Sequence, residues 1–178
     1  MSLFERFKEI TARHDDELFL VFKEIIEKAK TEAEDKNMNG VVKYNYINSK
    51  IEETYVMLAS LTGVVDTIKD EETRAYAIQK CIINPPVSEK LEEKIYDYIK
   101  SQENEARDYI KSVASKVLES DDVETLTENY KELENLMQLI DSSIYSDIEL
   151  DIPQKRCKSL KKQTSNNMGI SMLDLYGD

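Results

Sequence analysis

Along most of the chain the apolar positions recur at steps of three and four, the period of a helix that buries one face. Leu3, Phe4, Phe7 and Ile10 open the pattern, behind a Ser2/Glu5 spacing that fits a helix-starting capping box. The polar run Arg13-His14-Asp15-Asp16 reads as an interruption or a solvated face. Leu18, Phe19, Phe22, Ile25, Ile26 and Ala29 then resume the stripe. All four phenylalanines precede residue 23, which places this first element at the centre of the expected core. Asn37-Met38-Asn39-Gly40 predicts a turn, because Asn and Gly tolerate positive φ. A second stripe follows through Tyr44, Ile47, Ile51, Tyr55, Leu58, Thr62 and Val65, with Gly63 inside it implying a close approach or a mild kink. Lys69-Asp70-Glu71-Glu72 suits a break before a helix carrying Ala75, Ile78, Cys81 and Ile82.

Asn84-Pro85-Pro86 is the firmest boundary, since each proline lacks an N–H and disfavours helical geometry in the residue before it. A helix is expected from Val87 or Ser88, with Val87, Leu91, Ile95, Tyr98, Ala106, Tyr109, Val113 and Val117 as its stripe and Gln102 in the missing turn. Ser120-Asp121-Asp122 ends it, and Asp121 with Glu124 resembles a second capping box. The most regular stretch is Val123, Leu126, Tyr130, Leu133, Met137, Ile140 and Ile144, a heptad seam widened by Leu136 and Leu139. Burial of those side chains does not offset the ordering of a lone helix of this length, so the seam must be shared with another helix or another chain. Pro153 ends the regular pattern. The fold these signals predict is all-α: an antiparallel bundle of four to six helices over residues 1–152, followed by a C-terminal tail, extended or docked, over residues 153–178.

Composition narrows this picture. Four glycines and three prolines are too few for the many turns of a β-sandwich. No apolar run approaches the ~20 residues needed to span a bilayer, and the N-terminus lacks a secretory h-region, so no membrane role is expected. Cys81 and Cys157 form no CxxC and read as reduced thiols of a cytoplasm-like compartment. Tyrosine is frequent, at 10 residues. The expectation for most of them is a core-edge position with the hydroxyl in water, and Tyr96 and Tyr98 cannot share one helix face.

Charge divides the chain. The whole carries −12, whereas residues 153–178 hold five cations against Asp174 and Asp178, a net +3, which leaves −15 on residues 1–152. Such a body is a poor ligand for nucleic acid or anionic lipid, so nucleic acid is expected only through the basic tail. That tail presents Lys155, Arg156, Lys158, Lys161 and Lys162, then Ile170, Met172, Leu173, Leu175 and Tyr176. These ten are the candidate partner-binding residues. Lys155-Arg156-Cys157-Lys158 also fits a minimal nuclear-import pattern, so the nucleus stands beside the cytoplasm as a location. The tail is expected to dock on the acidic body of its own or a neighbouring subunit, with the alternatives of a free partner-binding peptide or a solvated end.

Catalytic signals are absent. The chain has no GxGxxG, GxxxxGK[ST], HExxH, GxSxG or EF-hand loop, and His14 is its single imidazole. Carboxylates such as Glu92/Glu93 and Glu103/Glu105 read as solvated helix faces. No cofactor, no metal and no enzymatic activity are therefore expected. The functional expectation is an interaction or assembly subunit, binding a protein partner or a second copy through helix faces and the C-terminal peptide. The alternative is an acidic helical inhibitor that mimics nucleic acid and occupies a basic groove of an enzyme; it requires carboxylates arrayed on one continuous face.

Overall fold

The computed structural model describes residues 3–61 and 68–148, leaving aside the side chains of residues 3, 4, 6, 7 and 61. Over those residues the chain is all-helical: α1 (Leu3–Ala12), α2 (Asp15–Asp35), α3 (Gly40–Leu61), α4 (Glu71–Ile83), α5 (Glu89–Glu119), α6 (Val123–Leu139) and a short 3-10 turn, Ser142–Ile144. No strand occurs among the described residues. The chain divides into two compact units, Met1–Met38 with Lys43–Gln102, and Asn39–Val42 with Glu103–Asp178, the second described as far as residue 148. Asn84–Pro86 is a junction inside the first unit, with both prolines buried. The expected boundary between body and tail at 152/153, the Ser2 cap and Gly63 lie outside the described residues.

In the first unit the core joins Phe22, Ile26 and Ala29 of α2, Ile47, Ile51 and Tyr55 of α3, and Val87, Leu91, Ile95 and Ile99 at the start of α5. Phe22 meets Tyr55 with ring centroids 5.5 Å apart, and Lys43 reaches back to Glu34 at 3.1 Å, so α2 and α3 are antiparallel. Asp15 and Asp16 at the start of α2 meet Ser88 and Lys94 at 2.8 and 3.2 Å, while Glu27 further along meets Tyr98. Helices α2 and α5 therefore run the same way, in direct contact, and both pack against α3. A smaller cluster of Ala59 and Cys81, flanked by Val56 and Ile78, ties α4 to the end of α3.

Two tyrosines pin this unit from its edge. Tyr46 donates its hydroxyl to Glu32, and Tyr98 donates to Glu27, each across to α2. These phenols sit at the core edge, and each also finds a carboxylate on a neighbouring helix. The donated bonds hold both Glu27 and Glu32 below the ordinary carboxylate range. In return the hydrogen bond to Glu27 pushes Tyr98 up to about 12. Phe19 packs edge-on against Tyr98 at 6.0 Å, and Lys23 lies over both rings.

In the second unit α5 continues and turns back into α6. Tyr109 donates to Glu132 at 2.7 Å and Asn129 donates to Ser120 at 3.0 Å, which makes the two helices antiparallel. Ile110, Val113, Val117, Leu126 and Leu133 are fully buried here. The cap of α6 is Asp122 and not Asp121: one Asp122 oxygen accepts from the Thr125 N–H at 2.8 Å, the other from its hydroxyl at 2.9 Å. The heptad seam does not remain one helix to Ile144. Helix α6 stops at Leu139, Ile140 is extended, and the Asp141 carboxylate accepts from Ser143 N–H to start a separate turn. Asp and Ser compete for backbone groups in this way and so end helices. Ile140 and Ile144 are nevertheless buried.

The turn before α3 separates two roles that the Asn37–Gly40 run had joined. Asn37 takes the positive φ, 53°. Asn39 caps α3, its side-chain oxygen accepting from the N–H groups of Val41 and Val42 at 3.0 Å each. Gly40 serves proximity: a Cβ there would stand 2.6 Å from the Glu105 carbonyl oxygen.

Candidate functional site

The core stripe of α5, Leu91, Ile95 and Ile99, occupies one side of that helix. Turning around the axis by a helical repeat brings Glu89, Glu92, Glu93, Tyr96 and Asp97 onto an adjoining face, at offsets of three, four, seven and eight from Glu89. Opposite stands α3 with Asn48, Ile51, Glu52 and Tyr55. Between them lies an open cleft of about 690 Å³, lined also by Ile82 of α4 and by Pro85. Its α5 wall, residues 89–99, is roughly 15 Å long at 1.5 Å per residue.

The cleft is apolar below and anionic at the rim. Ile51, Tyr55, Ile95 and Ile99 are buried and form the floor. Glu52, Glu89, Glu92, Glu93 and Asp97 line the walls, and none of the lining residues is basic. A few carboxylates of this unit outside the cleft pair with lysines, Asp16 with Lys94, Glu27 with Lys30 and Glu34 with Lys43. Among the described residues no lysine or arginine pairs with any of the five in the cleft. Burial, reinforced by Glu92 and Glu52, raises the Tyr55 hydroxyl far above the ordinary phenol value. It remains a neutral donor beneath the acidic rim. Apolar surface also remains open at the rim: Ile82 is 39% exposed, Tyr96 49% and the adjacent Ile83 84%. Carboxylates, phenols and aliphatic groups in this arrangement attract cations and bury apolar groups.

The sequence reading set Glu92 and Glu93 aside as a solvated face. Glu93 follows Glu89, and Asp97 follows Glu93, by four residues, while Lys90, Lys94 and Lys100 stand three residues from Glu93 or Asp97. What periodicity does not give is that the acidic row borders α3. Tyr96 and Tyr98 diverge as expected, Tyr96 toward the cleft and Tyr98 toward α2.

His14 is exposed at the α1–α2 junction, 3.7 Å from Glu17, and is not part of the cleft. Cys81 is buried and free, and burial pushes its thiol up. Among the described residues no group of acidic, Cys and His side chains is arranged to hold a metal, and no helix is long and apolar enough to cross a membrane. The ten tail residues from Lys155 to Tyr176, Cys157 with them, lie outside the described residues.

No protein-family model, curated protein or solved structure matches the chain. The fold and the cleft together define an all-α chain with an acidic, apolar-floored groove.

Proposed function

We propose that this chain is a non-enzymatic interaction or assembly subunit, and that the α3–α5 cleft is its principal docking surface for a basic, amphipathic protein segment. The observation that carries this reading is the set of five carboxylates without cationic partners around an apolar floor. A segment offering lysines or arginines at helical spacing, with aliphatic groups beside them, would satisfy both features at once. Ile82, Ile83 and Tyr96 would lose water in the same event. The C-terminal peptide and the remaining helix faces serve association with the same partner or with a second copy, in a cytoplasm-like or nuclear compartment.

The test is a titration of the isotope-labelled full chain with a synthetic ten-residue peptide carrying lysines at steps of three and four beside leucines. Amide shifts should concentrate at residues 48–55, 82–85 and 89–99. They should vanish when Glu92, Glu93 and Asp97 are replaced by their amides. Shifts scattered over every acidic face would refute the proposal.

One observation favours a second reading, nucleic-acid mimicry. Glu89, Glu92, Glu93 and Asp97 share one face of α5, as a surrogate for a phosphate row requires. A mimic binds by charge, so its affinity falls steeply with salt. The cleft reading retains binding through its apolar floor at high salt.

A further inference from the structure

We infer that Tyr55, with Glu52 and Glu92 beside it, forms a seat for one primary ammonium group, and that the docked segment fills it with a lysine side chain in preference to an arginine. This rests on the docking role proposed above and names the side chain that the cleft reads. All three residues belong to the first unit. Tyr55 lines the cleft yet is only 7% exposed. Tyr46, Tyr98, Tyr109 and Tyr145 are half-buried, and each donates its hydroxyl to an oxygen of the chain. Among the described residues the hydroxyl of Tyr55, the most buried of these, has no hydrogen-bond partner. A hydroxyl taken out of water without a partner costs free energy that a ligand can return. Glu52 precedes Tyr55 by three residues on α3 and shares its face, while Glu92 stands across on α5. These two are the half-buried carboxylates of the lining, whereas Glu89, Glu93 and Asp97 are exposed. After burial, the charges of Glu92 and Glu52 are what raise the Tyr55 hydroxyl, so the phenol keeps its proton and its oxygen accepts. An ammonium carries three donors on one rotatable bond, one for the phenol oxygen and one for each carboxylate. Its alkyl stem lies along an apolar floor such as Ile51 and Ile95 provide. A guanidinium is a planar fork that pairs best with both oxygens of one carboxylate, which leaves the phenol oxygen unmet.

The experiment compares the synthetic lysine–leucine peptide with the same peptide carrying arginine at every lysine position. Each is titrated into the full chain by calorimetry, with amide shifts locating the binding. The lysine peptide is expected to bind about tenfold more tightly, the scale of one hydrogen bond to a charged group. In Tyr55→Phe, which keeps the ring that packs on Phe22, the affinity ratio of the two peptides is expected to fall to about one. Glu52→Gln is expected to narrow the ratio in the same direction, and it carries the test should the phenylalanine variant not fold. Equal affinities in the parent chain, with shifts at the cleft from both peptides, would overturn the ammonium seat and preserve the docking role. A ratio that survives these substitutions would overturn the seat as well. Absence of shifts at the cleft from either peptide would remove the docking role and the seat together.

Discussion

Replacing Gly40 by alanine sets two effects of opposite sign against each other. In an open helix the change is stabilising by up to about 1 kcal/mol, because alanine has the better propensity and restricts the unfolded chain. The gain is smaller at Gly40, the first residue of α3, where few intrahelical bonds depend on it. Against it stands the Glu105 main chain: the new methyl would lie 2.6 Å from the carbonyl oxygen, 2.9 Å from its carbon and 3.2 Å from the Ala106 nitrogen. Carbon–oxygen contacts settle near about 3.3 Å or more, so the overlap is about 0.7 Å. The obstructing atoms belong to the backbone of α5 and cannot rotate aside as a side chain would. Overpacking of this kind costs about 1–3 kcal/mol, and the net expectation is a loss of about 1–2 kcal/mol. With a urea slope of about 2 kcal/mol per molar, the midpoint followed by far-ultraviolet circular dichroism should fall by about 0.5–1 M. Asn39→Ala, which removes the cap beside it, should lower stability by about 1 kcal/mol through a separate mechanism. A Gly40→Ala protein as stable as the parent, or more so, would refute the close approach of α3 and α5 at this position.

Three other expectations follow from buried or paired groups. Gln102 is 5% exposed and its Oε1 has no hydrogen-bond partner, so Gln102→Leu should raise stability by about 1 kcal/mol in the same denaturation assay; a loss of that size would show the amide to be satisfied. Glu27 and Glu32 are held below their ordinary value near 4.5, so their stabilising contribution is complete above that value and disappears as pH falls through it and below. Tyr98→Phe should therefore flatten the acid limb of a stability–pH profile between about pH 5 and pH 3, and an unchanged limb would remove the Tyr98–Glu27 bond from the account. In a Cys157→Ser background Cys81, buried with its thiol pushed up, should resist an aromatic disulfide reagent until urea unfolds the chain; prompt labelling in native buffer would contradict its burial.

Much of the architecture was legible before any coordinates. The three–four periodicity placed Phe22, Ile26, Ile51, Tyr55, Leu91, Ile95, Leu126 and Leu133 in the interior, where they lie. Breaks expected near Asn37–Gly40, Lys69–Glu72, Asn84–Pro86 and Ser120–Asp122 separate the observed helices. These signals are local: a helix face and a cap are set by neighbours within a turn or two, and the residues that create them are adjacent in sequence.

What escaped the sequence depends on partners distant along the chain. That Gly40 is needed for the Glu105 carbonyl, and not for a positive φ, follows only from α3 meeting α5. That Tyr98 belongs with Glu27 and Tyr109 with Glu132 is a matter of helix direction and register. The cleft is the sharpest case. Its carboxylates were visible as a solvated helix face among lysines, but periodicity cannot say which face of α5 lies beside Tyr55 and Glu52. An acidic row beside lysines is a solvated surface; the same row above Ile51, Tyr55 and Ile95 is a groove with a floor. Folding made that difference, because it decides which charges find partners and which apolar groups remain at the rim.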